Sequence, residues 1–204
     1  MRAWLRTRTA WWTLLALGLL PLAWLLWRTA ADQLGANPAE ALIRATGDWT
    51  LRGLCLTLAI TPLRVVLGWP ELLRFRRLLG LLTFGYACQH LLCYTGFDMG
   101  FDWADIAHDI PKRPFVLVGS LAFVLLSALA ATSWNGAIRR LGARRWQALH
   151  RSVYAVAVLA ILHFWWMRAG KHNFGEVWVY GTILAGLLGW RISGWVRGLS
   201  HHEV

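Results

Sequence analysis

No polar stretch of this 204-residue chain is long enough to build a soluble domain, and only ten residues are acidic. There are three cysteines and no CxxC pair. Cys55, Cys88 and Cys93 lie in or beside apolar runs, so they read as small buried hydrophobes rather than metal ligands or disulfide partners. The loops hold no phosphate-binding glycine loop, no catalytic nucleophile and no metal triad. No flavin or nicotinamide domain is present, so this chain cannot draw hydride from NADPH unaided. Low-complexity linkers and internal repeats are absent too.

What remains is apolar: 57% of the residues are hydrophobic and 15 are tryptophan. The apolar residues fall in long runs rather than at amphipathic spacing. Lipid leaves only helices and closed barrels able to satisfy their own backbone, so long runs predict membrane-spanning helices. The expected fold is an all-α integral membrane protein, a six-transmembrane-helix bundle forming one membrane domain over 1–204. Its spans fall near 10–27, 48–69, 76–97, 115–134, 148–167 and 176–195. The first run is read as a retained span rather than a signal peptide, because it is long for one and is followed by Arg28. Pro62 is expected to kink or end the second helix.

A formal net charge of +11 could indicate nucleic acid, but the basic residues cluster at span ends. That distribution reads as topology, with no nucleic-acid partner. Six spans put both termini on one side. Fourteen of the 21 Lys and Arg residues fall on that side, and eight of the ten acids on the other. The positive-inside rule then makes both termini cytoplasmic. In a bacterial inner membrane, the acid-rich loop from Asp98 to Asp109 faces the periplasm.

Three histidines lie within the apolar runs. Ionisable groups inside hydrocarbon are costly and are functional-site hypotheses by default. His90 and His163 each lie about fourteen or fifteen residues into parallel spans, the third and the fifth. Two imidazoles at one depth on parallel helices can ligate one haem iron from opposite faces, closing both axial positions for electron transfer. His150 precedes His163 by thirteen residues. At ~1.5 Å per residue it lies about 20 Å nearer the cytoplasm, and about 140° around the helix. That depth suits a second haem, whereas the angle does so only if the helix is distorted. The span-three position opposite it is Arg76, a poor iron ligand but a good partner for a propionate or phosphate. Gly80 and Gly85 would let a flat macrocycle approach the backbone, and Arg52 could neutralise a haem carboxylate. His108, His172, His201 and His202 are expected to be solvated.

Several motifs then carry a resemblance across nearly the whole chain. They are Thr46-Gly-Asp-Trp49, Thr57-Leu-Ala-Ile-Thr61-Pro62-Leu-Arg64, Arg76-Arg77-Leu-Leu-Gly80 with His90 ten residues on, Lys112-Arg113-Pro114-Phe115, and Trp146-Gln-Ala-Leu-His150-Arg-Ser-Val-Tyr154 with His163. In these the chain resembles the MsrQ (YedZ) family, the haem-binding membrane subunits of the bacterial MsrPQ protein-methionine-sulfoxide reductase system. More distantly it is similar to ferric reductase and NADPH oxidase membrane domains, which hold haems between their third and fifth spans.

The resemblance implies a b-type cytochrome that passes electrons to MsrP, a periplasmic molybdopterin enzyme that repairs oxidised methionines in envelope proteins. It implies a quinone-pool or cytosolic flavin reductase donor, and FMN beside haem b. The family's haem-linked positions fall on Arg76, His90, His150 and His163. Unlike the NADPH oxidases, this chain has no second span-three histidine, so one haem is expected and a second stays open. No residue marks an FMN site. Rival readings are a membrane ferric-chelate reductase, a histidine-based metal or proton transporter, and a non-redox assembly factor.

Overall fold

The computed structural model describes residues 2–170 and 172–196. Lys171, His201 and His202 lie outside them. The helices are α1 (Arg2–Leu5), α2 (Arg8–Ala30), α3 (Pro38–Leu67), α4 (Leu73–Cys93), α5 (Trp103–Lys112), α6 (Pro114–Ala131), α7 (Asn135–Leu141), α8 (Ala143–His150), α9 (Val153–Ala169) and α10 (Gly175–Val196). A 3-10 turn, Pro70–Leu72, precedes α4, and a π turn, Tyr94–Asp98, follows it. No strand occurs among the described residues.

Local chemistry sets the helix ends. The Thr7 hydroxyl accepts from the Ala10 amide and starts α2. Asn37 does the same for the Glu40 amide, with Pro38 in the first turn of α3. That cap starts α3 well before position 48, where the apolar run begins, so the polar stretch to Glu40 is partly helical. Gly68, at φ 62°, ends α3 in the left-handed region, its N–H reaching the Arg64 and Val65 carbonyls. Pro62 does not end the helix, which continues to Leu67. A proline removes one ladder bond, but packing against neighbouring helices keeps such a segment helical.

The fifth apolar run is not one helix. α8 stops at His150 and α9 starts at Val153, across a tightened turn. There Ser152 N–H donates to Leu149 O at 2.9 Å and Tyr154 N–H to Arg151 O at 3.1 Å. The break lies between His150 and His163, the two histidines of this run.

Among the described residues, four segments are long and apolar enough to cross a membrane: Arg8–Ala30, Pro38–Leu67, Pro114–Ala131 and Ala143–Ala169, the last combining α8 and α9. α4 is diluted by Arg74, Arg76, Arg77, Gln89 and His90, and α10 by Glu176 and Arg191. α3 packs along α4 and α6 along α9, while α10 leans on α3 and α9. Leu51, Leu54, Leu58, Ala87, Leu126, Leu129, Val156, Ala157, Phe164 and Leu184 form the shared core. α2 lies at the edge, tied by Tyr86 Oη, which donates to Gly18 O at 2.8 Å and accepts from Leu22 N–H at 3.2 Å. Its Trp12, Leu17, Leu20, Trp24 and Leu26 are exposed. In a bilayer such side chains meet lipid, and close packing rather than water exclusion joins the helices. Gly53 shows this: a β-carbon there would lie 2.6 Å from Thr83 Oγ1 of α4.

The loops gather at two ends. At one, Arg6 of the α1–α2 link pairs with Glu71 at 2.7 Å, Arg74 donates to Leu5 O at 2.9 Å, and Arg77 donates to Asn135 Oδ1 at 2.9 Å. At the other, Tyr94 Oη donates to Asp109 at 2.6 Å, Arg113 pairs with the same carboxylate, and Arg168 pairs with Glu176 at 2.5 Å.

Candidate functional site

Towards the second end, α4 and α9 bring His90 and His163 together, edge to face. Their ring centroids are 6.0 Å apart and their planes meet at 82°. His90 Nδ1 lies 2.9 Å from the Ile43 carbonyl of α3, and His163 Nδ1 lies 2.7 Å from the Phe115 carbonyl of α6. A carbonyl only accepts, so both Nδ1 atoms carry the proton and both Nε2 atoms keep a lone pair. That arrangement, with the non-ligating nitrogen donating to a carbonyl, is the one metal-bound histidines adopt.

The spacing fits a metal between the rings. With roughly 2 Å for each metal–nitrogen bond and roughly 1 Å from nitrogen to ring centre, the centroids fall about 6 Å apart. Among the described residues, no cluster of three or more His, Cys, Asp or Glu could hold a bare metal ion. Two imidazoles suffice only where a macrocycle supplies the other ligands, so the donor set fits haem iron.

Towards the basic end lies a cavity of about 440 Å³. Arg76, Arg77, Arg151, Arg191 and His150 line it with Trp146 and Tyr154, over an apolar floor that includes Leu54, Leu58, Leu126 and Leu129. No acidic residue lines it. The Thr132 hydroxyl donates to Ala128 O at 2.7 Å, so its oxygen accepts from His150 Nε2–H at 3.0 Å. Trp146 stacks on the same imidazole at 3.9 Å. His150 is therefore held by a hydroxyl and an indole, with arginines rather than a second histidine on α4.

Residues 12–162 match a family described as the ferric reductase like transmembrane component. Curated relatives named protein-methionine-sulfoxide reductase heme-binding subunit MsrQ align along most of the chain. That of Polaromonas naphthalenivorans is 63% identical, covering 88% of this chain and 82% of the relative. That of Bordetella pertussis is 52% identical, covering 88% and 87%. That of Caulobacter vibrioides is 46% identical, covering 84% and 81%. The chain belongs to the MsrQ family. No solved structure matches it.

Of the four positions singled out in this MsrQ-family sequence, the fold brings His90 and His163 together and places His150 and Arg76 in the separate cavity towards the basic end. Arg52 donates through Nε to Tyr180 Oη at 2.8 Å and stacks on Trp49. Gly80 faces Thr57 of α3, while a β-carbon on Gly85 would meet nothing within 4 Å. His108 and His172 are exposed, as expected. Cys55, Cys88 and Cys93 are free.

The sequence reading missed the partners: the Ile43 and Phe115 carbonyls, Thr132 and Trp146, and Arg77, Arg151 and Arg191 of the cavity. Backbone acceptors leave no side-chain signature. Arg77, Arg151 and Arg191 had been read only as positive-inside anchors, and only folding shows them sharing a cavity with Arg76.

Proposed function

We propose that this chain is a b-type cytochrome of the bacterial inner membrane, with six spans and both termini cytoplasmic. In this reading it carries electrons to a periplasmic molybdopterin reductase of the MsrP type, which repairs oxidised methionines in envelope proteins. The observation that carries it is the His90–His163 pair, whose separation and carbonyl-anchored tautomers suit the two axial positions of one haem. The relatives' heme-binding name supports the same cofactor. Bound there, haem supplies a one-electron carrier with both axial sites closed.

The protein's own part is positional. Ile43 O and Phe115 O hold the rings, and the apolar helices around them exclude water. The gathering of Arg6, Arg74 and Arg77 at one end, and of Asp98 and Asp109 at the other, supports the orientation. The inner cavity supports binding of an anionic planar ring, and FMN fits its four arginines and its aromatic wall better than a second haem does. His150 has no histidine opposite it, and its Nε2 is already bonded to Thr132. Electrons enter at that end, from quinol or a cytosolic flavin reductase.

The test is a dithionite-reduced minus oxidised spectrum of the purified protein, with haem counted per chain. A low-spin b-type signal with one haem per chain is expected. Colourless protein from haem-sufficient cells would remove the electron-transfer reading and favour a transporter. Ferric-chelate reduction without any partner protein would favour the ferric reductase reading.

A further inference from the structure

The two axial candidates share a device on their neighbouring helices. Ile43 O of α3 accepts from His90, and Gly47 lies four residues on; Phe115 O of α6 accepts from His163, and Gly119 lies four residues on. In an α-helix the carbonyl of residue i is flanked by residue i+4, whose amide it normally accepts. A β-carbon at i+4 therefore stands beside that oxygen and crowds a flat ring that approaches it from the side.

At both positions glycine leaves the approach open, and the imidazole fills it. A β-carbon at Gly47 would lie 3.0 Å from His90 Cε1 and 3.1 Å from Nδ1. One at Gly119 would lie 2.8 Å from His163 Nδ1 and 3.0 Å from Cε1. The same ring edge, Nδ1–Cε1, meets the glycine in each case. Gly186 and Gly189 of α10 have nothing within 4 Å, so such contact is not general to the helical glycines here.

We propose that the pairs Ile43–Gly47 and Phe115–Gly119 are positioning residues that fix the tautomer and the near-perpendicular planes of the His90 and His163 imidazoles. The inference rests on the haem reading above. A ring pushed away from its glycine loses the carbonyl bond, and with it both the Nδ1–H tautomer and the constraint on ring rotation. The motif Thr46-Gly47-Asp48-Trp49 thereby acquires a role: its glycine is the flank of the His90 seat. The 82° between the ring planes becomes a built property of the site.

The experiment is low-temperature EPR of the oxidised, detergent-purified holoprotein, with haem per chain measured on the same samples. Near-perpendicular imidazole planes give a highly anisotropic low-spin signal, whereas near-parallel planes give a rhombic one. The unsubstituted protein is expected to show the former. Gly47→Ala and Gly119→Ala should shift it towards the rhombic form or broaden it, with the larger change at Gly119, while Gly186→Ala leaves it unchanged. A rhombic signal from the unsubstituted protein overturns the proposal, even if neither alanine variant folds. So does an unchanged signal in both alanine variants at full haem content. Absence of haem from the unsubstituted protein would instead overturn the haem reading on which the proposal rests.

Discussion

The His90–His163 site and the His150 site use one residue type in opposite ways. His90 and His163 each give the Nδ1 proton to a backbone carbonyl, which leaves Nε2 with its lone pair, and their ring centres lie 6.0 Å apart. His150 gives its Nε2 proton to Thr132, lies under Trp146 and faces arginines. Hydrogen-bond partners, rather than residue identity, distinguish the two settings. The first site suits a positively charged metal in a macrocycle; the second suits the acidic tail of a planar ring.

The sharpest break of that contrast is His163→Ala, or equally His90→Ala. Either should lower bound haem at least ~10–100-fold, since even outer-shell partners of metal ligands cost that much. Full haem content with an unchanged spectrum would remove both from the ligand set. Next comes Arg76→Ala, which should weaken FMN binding about tenfold, because a charge-assisted hydrogen bond contributes roughly 1.5–3 kcal/mol. A fluorescence titration reads this, and haem content should not move. His150→Ala sharpens the same point: haem per chain and the b-type spectrum are expected to stay as they are. A halved haem count would instead place a second haem in the inner cavity.

The smallest effect lies outside the membrane helices. The Arg6 hydrogen bond holds the Glu71 carboxyl below its ordinary value of 4.5. A depressed carboxylate stabilises the fold above its unfolded pKa, and that contribution is lost as pH falls through the folded value. Arg6→Ala should therefore lower the melting temperature slightly at neutral pH. In acid below the carboxylate range the two proteins should melt alike.

Much of the fold was legible because lipid imposes a simple rule. Long apolar runs predicted helices: four segments among the described residues are long and apolar enough to cross a membrane, while the stretches expected as the third and sixth spans form α4 and α10, which are diluted by polar and charged residues. Helix ends were less legible: α3 starts at the Asn37–Pro38 cap, and Pro62 is absorbed. The break after His150 was anticipated only as a condition, because a turn of this kind has no residue code. Equal depth on parallel helices pointed to His90 and His163, since depth follows from counting. Gly80 and Gly85 were singled out where Gly47 and Gly119 make the contacts with the imidazoles. A glycine's role depends on which neighbouring helix faces it.

By itself the sequence determined the helical class and the two-ended charge distribution, and counting along the chain singled out His90 and His163, which the fold pairs. These follow from hydropathy, charge and the rise per residue, which are local or additive along the chain. The tertiary structure alone decided which carbonyls fix each imidazole, that four arginines from three segments line one cavity, and that His150 belongs to it. Those are relations between helices, and they exist only once α3 lies on α4 and α6 on α9.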